Sequence, residues 1–215
     1  MADLQTVFIA GATGYIGRRL CAELMRRGHT VIALARGDST DKVPVGCRVI
    51  VGNALDADSY SSQVPRGCIF IHLVGVAHPS PAKARHFLSV DLASVYASLR
   101  AATHAAHFVY ISVAQPAPVM AAYVCARQAA EQLIAQSGLD ATILRPWYVL
   151  GPGHRWPWLL LPGYWIFERI PSTAQTARRL GMVTITQMVN ALGYAVEHPV
   201  PGSRVFDVTR IRAPE

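Results

Sequence analysis

The chain has 215 residues, of which 52% are hydrophobic and only 15% are charged. This composition excludes global intrinsic disorder, and the apolar runs are too short or too broken for a membrane-spanning helix of about 20 residues. No charged start followed by a long apolar run and a cleavage site is visible, so we expect a globular protein of the cytoplasm.

The net charge of the chain is +7, from 20 Lys and Arg against 13 Asp and Glu. A basic balance is compatible with nucleic acid, a membrane surface or an anionic ligand. The arginines are spread along the chain without a long basic run, and no basic stretch is interleaved with aromatic residues that could stack on bases. The sequence therefore predicts no nucleic-acid partner.

Short apolar segments alternate with helix-patterned segments through the first 150 residues. The predicted strands are Thr6–Ala10, Thr30–Ala35, Arg48–Val51, Cys68–Val74, Phe108–Ser112 and Asp140–Leu144. The predicted helices are Tyr15–Arg27, Asp91–Ala106 and Met120–Gln136. Strands that are apolar on both faces and separated by helices indicate an α/β fold with a doubly wound parallel sheet, covered by helices on both sides.

The alternating pattern ends after Leu150. Residues 151–171 contain four Pro, three Gly and three of the four Trp, and they are followed by a predicted helix at Thr186–Glu197 and a predicted strand at Arg204–Val208. The aromatic segment 156–167 has three interpretations: a lid over an apolar substrate pocket, a surface that contacts a protein or a membrane, or ordinary core. We therefore predict a nucleotide-binding domain at 1–150, with 151–215 as a small lid or substrate region that completes the same domain.

The four cysteines are widely spaced and form no C-x-x-C pair, which favours buried free thiols over disulfides or a zinc site: Cys21, Cys47, Cys68 and Cys125. The histidines show no metal-ligand spacing supported by a carboxylate, so no metal site is predicted. His72 lies on an apolar predicted strand, which favours a buried histidine with hydrogen-bond partners over a catalytic one.

A glycine-rich segment, Gly11-Ala-Thr-Gly14-Tyr-Ile-Gly17, directly follows the first predicted strand and opens the first predicted helix. In such a loop one glycine makes the tight turn, one lets the backbone approach a pyrophosphate, and one allows close packing of helix against strand. The helix N-terminus then offers N–H groups and a positive dipole end to the phosphates. The predicted cofactor-binding residues here are Gly11, Thr13, Gly14, Tyr15, Ile16 and Gly17.

Arg36 lies just past the second predicted strand. An acidic residue at this point would bind the ribose hydroxyls of NAD, whereas a cationic one accommodates the 2′-phosphate of NADP. The sequence therefore favours NADP(H) over NAD(H), with a purely solvent-facing Arg36 as the alternative.

With these features, the sequence resembles the short-chain dehydrogenase/reductase superfamily, above all its extended and atypical branches. These branches include epimerase/dehydratase-like and NmrA-like NAD(P)-binding proteins. The resemblance spans about residues 5–153 and is carried by GATGYIG at 11–17, GNALD at 52–56, IHLVG at 71–75, VDLASVYASLRAA at 90–102, FVYIS at 108–112, Tyr123-x-x-x-Arg127 and ILRPWYVLGPG at 143–153.

The resemblance implies a Rossmann-type fold and further cofactor contacts. By it, Asn53 and Ala54 would lie by the adenine, and Leu73, Val74 and Gly75 would line the cofactor after the fourth strand. Pro146, Trp147 and Tyr148 would border the nicotinamide side. Arg145, which precedes Pro146, fits the family pattern as a structural residue.

The resemblance also implies catalytic positions, of which this chain matches some. In the family a Tyr is the acid or base, a Lys four residues on supports it and holds the ribose, and a Ser after the fifth strand binds the substrate oxygen. Here Tyr123 is present, Arg127 replaces the Lys, and the Ser-Ser pair common in the family reads Ser112-Val113. Arg127 can supply positive charge and bond the ribose, so it is also a predicted cofactor-binding residue, but it cannot relay a proton. Tyr123, Arg127 and Ser112 are the candidate catalytic residues.

Two functions stay open at this point. The first is an NADP(H)-dependent oxidoreductase or epimerase that acts on a small, apolar carbonyl or alcohol compound. The second is an NAD(P)H-binding protein without catalysis, comparable to NmrA-like regulators or to an accessory subunit of respiratory complex I. The intact glycine loop and Tyr123 fit both functions, whereas Val113 and Arg127 favour the second.

Overall fold

The computed structural model describes residues 3–77, 79–117, 119–152 and 180–214. The strands in these ranges are β1 (Thr6–Ala10), β2 (Thr30–Ala35), β3 (Arg48–Val51), β4 (Ile69–His72), β5 (His107–Ile111), β6 (Ala141–Leu144), β7 (Tyr148–Leu150), β8 (Met182–Thr184) and β9 (Ser203–Phe206). Seven of these described strands form one parallel sheet in the order β3-β2-β1-β4-β5-β6-β9. The other two, β7 and β8, form a small parallel sheet.

Helices cover both faces of the large sheet. Within the described ranges they are α1 (Tyr15–Arg26), α2 (Ala84–His86), α3 (Ala93–Ala101), α4 (Ala121–Gln136), α5 (Ile185–Glu197) and α6 (Val208–Arg212), with a π-helical segment at Phe87–Leu92 between α2 and α3. Short 3₁₀ turns occur at Gly37–Lys42, Ala57–Ser59, Ser61–Gln63 and Pro81–Lys83. No helix in these parts of the chain is long and apolar enough to cross a bilayer.

Alternation along the strands divides the buried side chains into two cores. Val7 and Ile9 of β1 face one core, which also contains Leu20 of α1 and Leu192 of α5. Phe8 and Ala10 face the other core, with apolar residues of α3 and α4. In that second core the rings of Phe8, Phe70 and Phe108 stack across neighbouring strands at centroid distances of 5.0 and 5.4 Å. The predicted doubly wound α/β fold is confirmed.

The last described part of the chain packs directly against the first. Arg27, at the end of α1, places Nη1 3.0 Å from Oε2 of Glu197 in α5. The two helices approach closely there, because a Cβ on Gly193 would lie 2.6 Å from that same Nη1. Strand β9 pairs with β6, so residues after 180 contribute to the same sheet. The aromatic segment 156–167 lies outside the described residues.

Several predicted boundaries were wrong, and three elements differ by two residues or more at their carboxyl ends. Strand β4 ends at His72 and not at Val74, and the backbone at Leu73 then passes the glycine loop at a distance that excludes a Cβ on Gly11. Strand β9 ends at Phe206 because the side chain of Asp207 caps α6 by accepting from the N–H of Arg210. The helix predicted to end at Ala106 ends earlier, at Ala101.

The cysteines are free thiols, but they do not share one environment. Cys21 and Cys68 are buried, as predicted, and Cys47 is half-buried. The prediction was wrong for Cys125, which is exposed on α4 because its side chain lies on the face of the helix opposite the sheet. No cluster of three or more His, Cys, Asp or Glu side chains suited to a metal occurs in the described part of the chain.

Candidate functional site

The glycine loop lies at the carboxyl end of β1, where the strand order changes direction between β1 and β4. In open parallel sheets, ligands bind in the crevice at such a switch point. Gly11 has φ +91°, and a Cβ there would lie 2.7 Å from the carbonyl carbon of Leu73. A Cβ on Gly17 would collide with the carbonyl oxygen of Gly11 and lie 2.8 Å from backbone atoms of Ala12. Only glycine fits at these two positions.

The N-terminus of α1 is open. Gly14 is the N-cap residue, it is exposed, and no side chain from residues 3–77, 79–117, 119–152 or 180–214 caps the helix. The first N–H groups of a helix have no partner within the helix and carry a positive dipole end. The loop therefore presents bare backbone donors, and this cradle fits the pyrophosphate of a dinucleotide.

Tyr15 and its neighbours form one wall beside the loop. Thr13, Tyr15 and Ile16 are half-buried. The guanidinium carbon of Arg19 lies 4.2 Å from the centroid of the Tyr15 ring, and a Cβ on Gly151 would meet the Tyr15 hydroxyl. Tyr15 thus packs the glycine loop against the segment that follows β7.

Arg36 and Asn53 lie at the carboxyl ends of the two strands on one side of the loop. The Arg36 side chain is 72% exposed, and its Nε lies 3.7 Å from Oδ1 of Asp38. The side chain of Asn53 accepts a hydrogen bond of 3.1 Å from the N–H of Leu55, and Ala54 is half-buried. Arg36 therefore has its guanidinium in solvent, able to meet an anion.

The segment after β4 lies on the other side of the loop. Leu73 and Val74 are half-buried and Gly75 is exposed.

The segment after β6 lies farther along the sheet. There the carbonyl oxygen of the buried Pro146 accepts a 2.9 Å hydrogen bond from the N–H of Ala114. The rings of Trp147 and Tyr148 meet edge to face with their centroids 5.4 Å apart.

Tyr123 lies in the first turn of α4, half-buried. Its ring meets Phe87 of the π-helical segment edge to face, with a centroid distance of 5.1 Å. The guanidinium carbon of Arg127 lies 5.1 Å from the Tyr123 ring centroid, as expected for residues one helical turn apart. The two candidate residues are therefore neighbours.

The Arg127 side chain is only 8% exposed, and its terminal nitrogens are occupied. Nη2 donates a 2.6 Å hydrogen bond to Oδ1 of Asp91. Nη1 donates to the carbonyl oxygen of Ile111 at 2.9 Å and to the hydroxyl of Tyr110 at 3.1 Å. The cation of Arg127 is thus balanced by Asp91, a contact that the sequence did not reveal.

Ser112 follows β5 directly and is 2% exposed. Its N–H donates to the carbonyl oxygen of Leu144 at 2.7 Å, whereas its Oγ is buried and has no hydrogen-bond partner in the described part of the chain. Buried hydroxyls ordinarily have a partner. Val113 beside it is also 2% exposed. Of the two residues in the expected pair, only Ser112 has a hydroxyl, and that hydroxyl is both buried and unpaired among the described residues.

Burial determines the protonation of the polar groups beneath the site. His72 is fully buried between Ser98 Oγ at 2.9 Å and Ser94 Oγ at 3.3 Å, and burial lowers the pKa of His72 to about 3. Burial likewise raises the pKa of Tyr110 to about 12. His72 is a buried, hydrogen-bonded histidine, as the sequence favoured.

Arg145 and Asp91 each form an ion pair with a side chain of α4. Arg145 forms a bidentate ion pair with Glu131 of α4, with Nε 3.0 Å from Oε1. This contact joins the end of β6 to α4 and fits the structural role expected for Arg145. Asp91 was missed as a site residue, although it is a single acidic side chain in the otherwise uncharged stretch 86–99, which was a usable signal.

Comparison with known proteins agrees with this geometry. A sequence model described as NAD(P)H-binding matches residues 11–153. Since the match covers more than half of the chain, the chain belongs to this NAD(P)H-binding family, and the predicted resemblance to short-chain dehydrogenase/reductases is confirmed.

Two curated relatives are reductases. The divinyl chlorophyllide a 8-vinyl-reductase of Oryza sativa subsp. indica is 35% identical over 122 residues, which are 50% of this chain and 29% of the relative. The ceramide reductase of Caulobacter vibrioides is 27% identical over 150 residues, which are 68% of this chain and 47% of the relative. The chain thus spans less than half the length of these relatives.

Solved structures share the fold. The enzyme WbmH of Bordetella bronchiseptica, solved with NAD+, superposes with a TM-score of 0.69 at 18% identity, over 95% of this chain and 75% of that one. A UDP-glucose 4-epimerase of Thermotoga maritima gives 0.67 at 17% identity, over 94% and 76%. The chain therefore has a Rossmann-like fold of the kind found in NAD-binding epimerases.

Proposed function

We propose that this protein is an NADPH-dependent reductase of a small, apolar carbonyl compound. The observation that carries the proposal is the buried hydroxyl of Ser112, which has no hydrogen-bond partner among the described residues and follows β5, two strands from the glycine loop that fits a dinucleotide. The reductase activities of the curated relatives support the direction of the reaction. The free thiols of Cys21 and Cys68 support the cytoplasmic location that is part of the proposal.

The chain's own residues have three roles in this proposal. The backbone of the glycine loop and the side chain of Arg36 hold the phosphates, and when bound the reduced nicotinamide supplies a hydride. The Ser112 hydroxyl donates a hydrogen bond to the substrate carbonyl oxygen. Tyr123 donates a proton to that oxygen, which is the role of a general acid at a carbonyl that is being reduced.

Replacing Tyr123 with phenylalanine tests the catalytic role. We expect kcat to fall by about 100-fold or more, which is the usual contribution of a general acid, while the dissociation constant for NADPH stays within about twofold, since the hydroxyl alone is removed. The measurement is NADPH oxidation with a panel of aliphatic and aromatic aldehydes and ketones. Tyr96→Phe is the matched control, because Tyr96 is 59% exposed on α3.

The second candidate function is NAD(P)H binding without turnover. It is favoured by Val113 in the expected catalytic pair and by the engagement of Arg127 with Asp91 and the backbone. Wild-type protein that binds NADPH but turns over no member of the panel, with the Tyr123→Phe variant indistinguishable from it, would establish this second function in place of the first.

Replacing Arg36 with alanine tests the cofactor preference. We expect the dissociation constant for NADPH to rise about tenfold or more, because one charge-assisted contact to the 2′-phosphate is lost. The constant for NADH should change by less than about twofold. Arg100→Ala is the control, since Arg100 is another exposed arginine paired with an aspartate, Asp58. Equal losses for the two cofactors would contradict NADP(H) specificity.

A further inference from the structure

Asp91 connects two parts of the site. Its side chain is 1% exposed. One carboxylate oxygen accepts from Arg127 at 2.6 Å, and the other accepts a 3.1 Å hydrogen bond from the N–H of Val76, in the segment after β4. The carboxylate therefore holds α4 through Arg127 and the cofactor-side loop through Val76.

The local helix geometry explains why Asp91 can reach both partners. Asp91 lies in the π-helical segment Phe87–Leu92, which packs against α4. A π-helical turn is rare, and its extra residue changes the direction in which the side chains of that turn point. The buried residues of this segment are Phe87 and Asp91, so the carboxylate lies in the interior beside an aromatic ring.

The loop after β4 lies directly on the ion pair. A Cβ on Gly75 would lie 2.6 Å from Arg127 Nη2 and 3.1 Å from Asp91 Oδ1. Arg127 also holds the carbonyl oxygen of Ile111 at the end of β5. The pair thus fixes the chain at the carboxyl ends of β4 and β5 together.

The strand order shows on which side of the glycine loop the Asp91–Arg127 ion pair lies. The glycine loop follows β1, with β2 and β3 on one side and β4 and β5 on the other. Arg36 and Asn53 occupy the first side, whereas Ser112 and Tyr123 occupy the second. The Asp91–Arg127 pair therefore lies under the half of the site that would hold the nicotinamide.

We propose that Asp91, through Arg127, is a positioning residue that holds Gly75 and Val76 in place for the nicotinamide half of the bound cofactor. This inference rests on the dinucleotide binding of the proposed function. It does not require turnover. It also gives Arg127 a role other than that of a direct ribose ligand, because its terminal nitrogens are already engaged.

The test compares NADPH with adenosine 2′,5′-bisphosphate, which contains only the adenine half. In Asp91→Asn we expect the dissociation constant for NADPH to rise about tenfold, as a preorganised loop is lost, with the constant for the bisphosphate within about twofold of wild type. Glu131→Gln is the matched control: it makes the same change in a carboxylate that pairs with Arg145 on α4, and both ligands should bind it normally.

Gly75→Ala provides a second variant, which retains both charges but forces the loop away from Arg127. It should reproduce the selective loss of NADPH affinity even where Asp91→Asn does not fold. Equal weakening of both ligands in a variant that remains folded, or no weakening of either, overturns the inference.

Hydrogen exchange separates this inference from the proposed function. Peptides that cover residues 73–77 should exchange faster in Asp91→Asn than in wild type or Glu131→Gln, with no ligand present, since Val76 loses a carboxylate acceptor. Unchanged exchange there overturns the positioning role. Wild-type protein that binds neither nucleotide overturns the proposed function, whatever the exchange shows.

Discussion

Replacing Arg127 with methionine is expected to lower the free energy of unfolding by about 3–5 kcal/mol, because the change leaves the Asp91 carboxylate buried and unpaired. The carboxylate is 1% exposed and makes its strongest contact with Arg127. Burial already raises the pKa of Asp91, and Arg127 opposes that shift. Urea denaturation monitored by circular dichroism gives the measurement.

Arg26→Met is the control for this prediction. Arg26 pairs with Glu23 on α1, but its side chain is 71% exposed, so the loss should be far smaller than for Arg127→Met. The double variant Arg127→Met with Asp91→Leu should recover part of the lost stability, since it removes both buried charges. A loss for Arg127→Met no greater than that for Arg26→Met would contradict the buried ion pair.

Replacing Gly11 with alanine is expected to abolish measurable NADPH binding and to lower the free energy of unfolding by about 2–4 kcal/mol. The alanine would be strained at φ +91°, and its Cβ would lie 2.7 to 2.9 Å from backbone atoms of Leu73 and Val74. These neighbours belong to the main chain and cannot rotate away, so the loop itself must move. Fluorescence titration with NADPH and urea denaturation give the two measurements.

Gly138→Ala is the control that separates the effect of backbone strain from the effect of a steric clash at the added Cβ. Gly138 has φ +74°, and a Cβ there would meet nothing within 4 Å. This variant should therefore lose only about 1–2 kcal/mol from left-handed backbone strain and should bind NADPH normally. Equal stability and equal NADPH affinity of Gly11→Ala and Gly138→Ala would contradict the close approach of the glycine loop to the segment after β4.

The strands could be predicted from the sequence because their physical signal is local. β1, β2 and β3 have the predicted bounds, since each is a short, mostly apolar run in a parallel sheet and is followed by a polar residue or glycine. The glycine loop could be predicted for the same reason, because the three glycines and the strand before them lie within one short segment.

The ion pair between Asp91 and Arg127 could not be predicted from local sequence patterns. Their contact joins residues separated by 36 positions, and hydrophobic periodicity carries no information about such a pair. The π-helical segment is also invisible to a pattern that assumes 3.6 residues per turn. Arg127 was consequently predicted as a ribose ligand from the family motif alone, and this role stays a prediction beside the contacts described above.

The first core has a consequence for how the protein folds. It combines side chains of β1 and α1 with those of α5, and the ion pair between Arg27 and Glu197 spans 170 residues of sequence. Contacts of such separation form slowly, because a long loop must close before they stabilise anything. During synthesis, the part of the apolar face of α1 that packs against α5 stays uncovered until α5 has left the ribosome. We expect a chaperone to bind this face most readily in that interval.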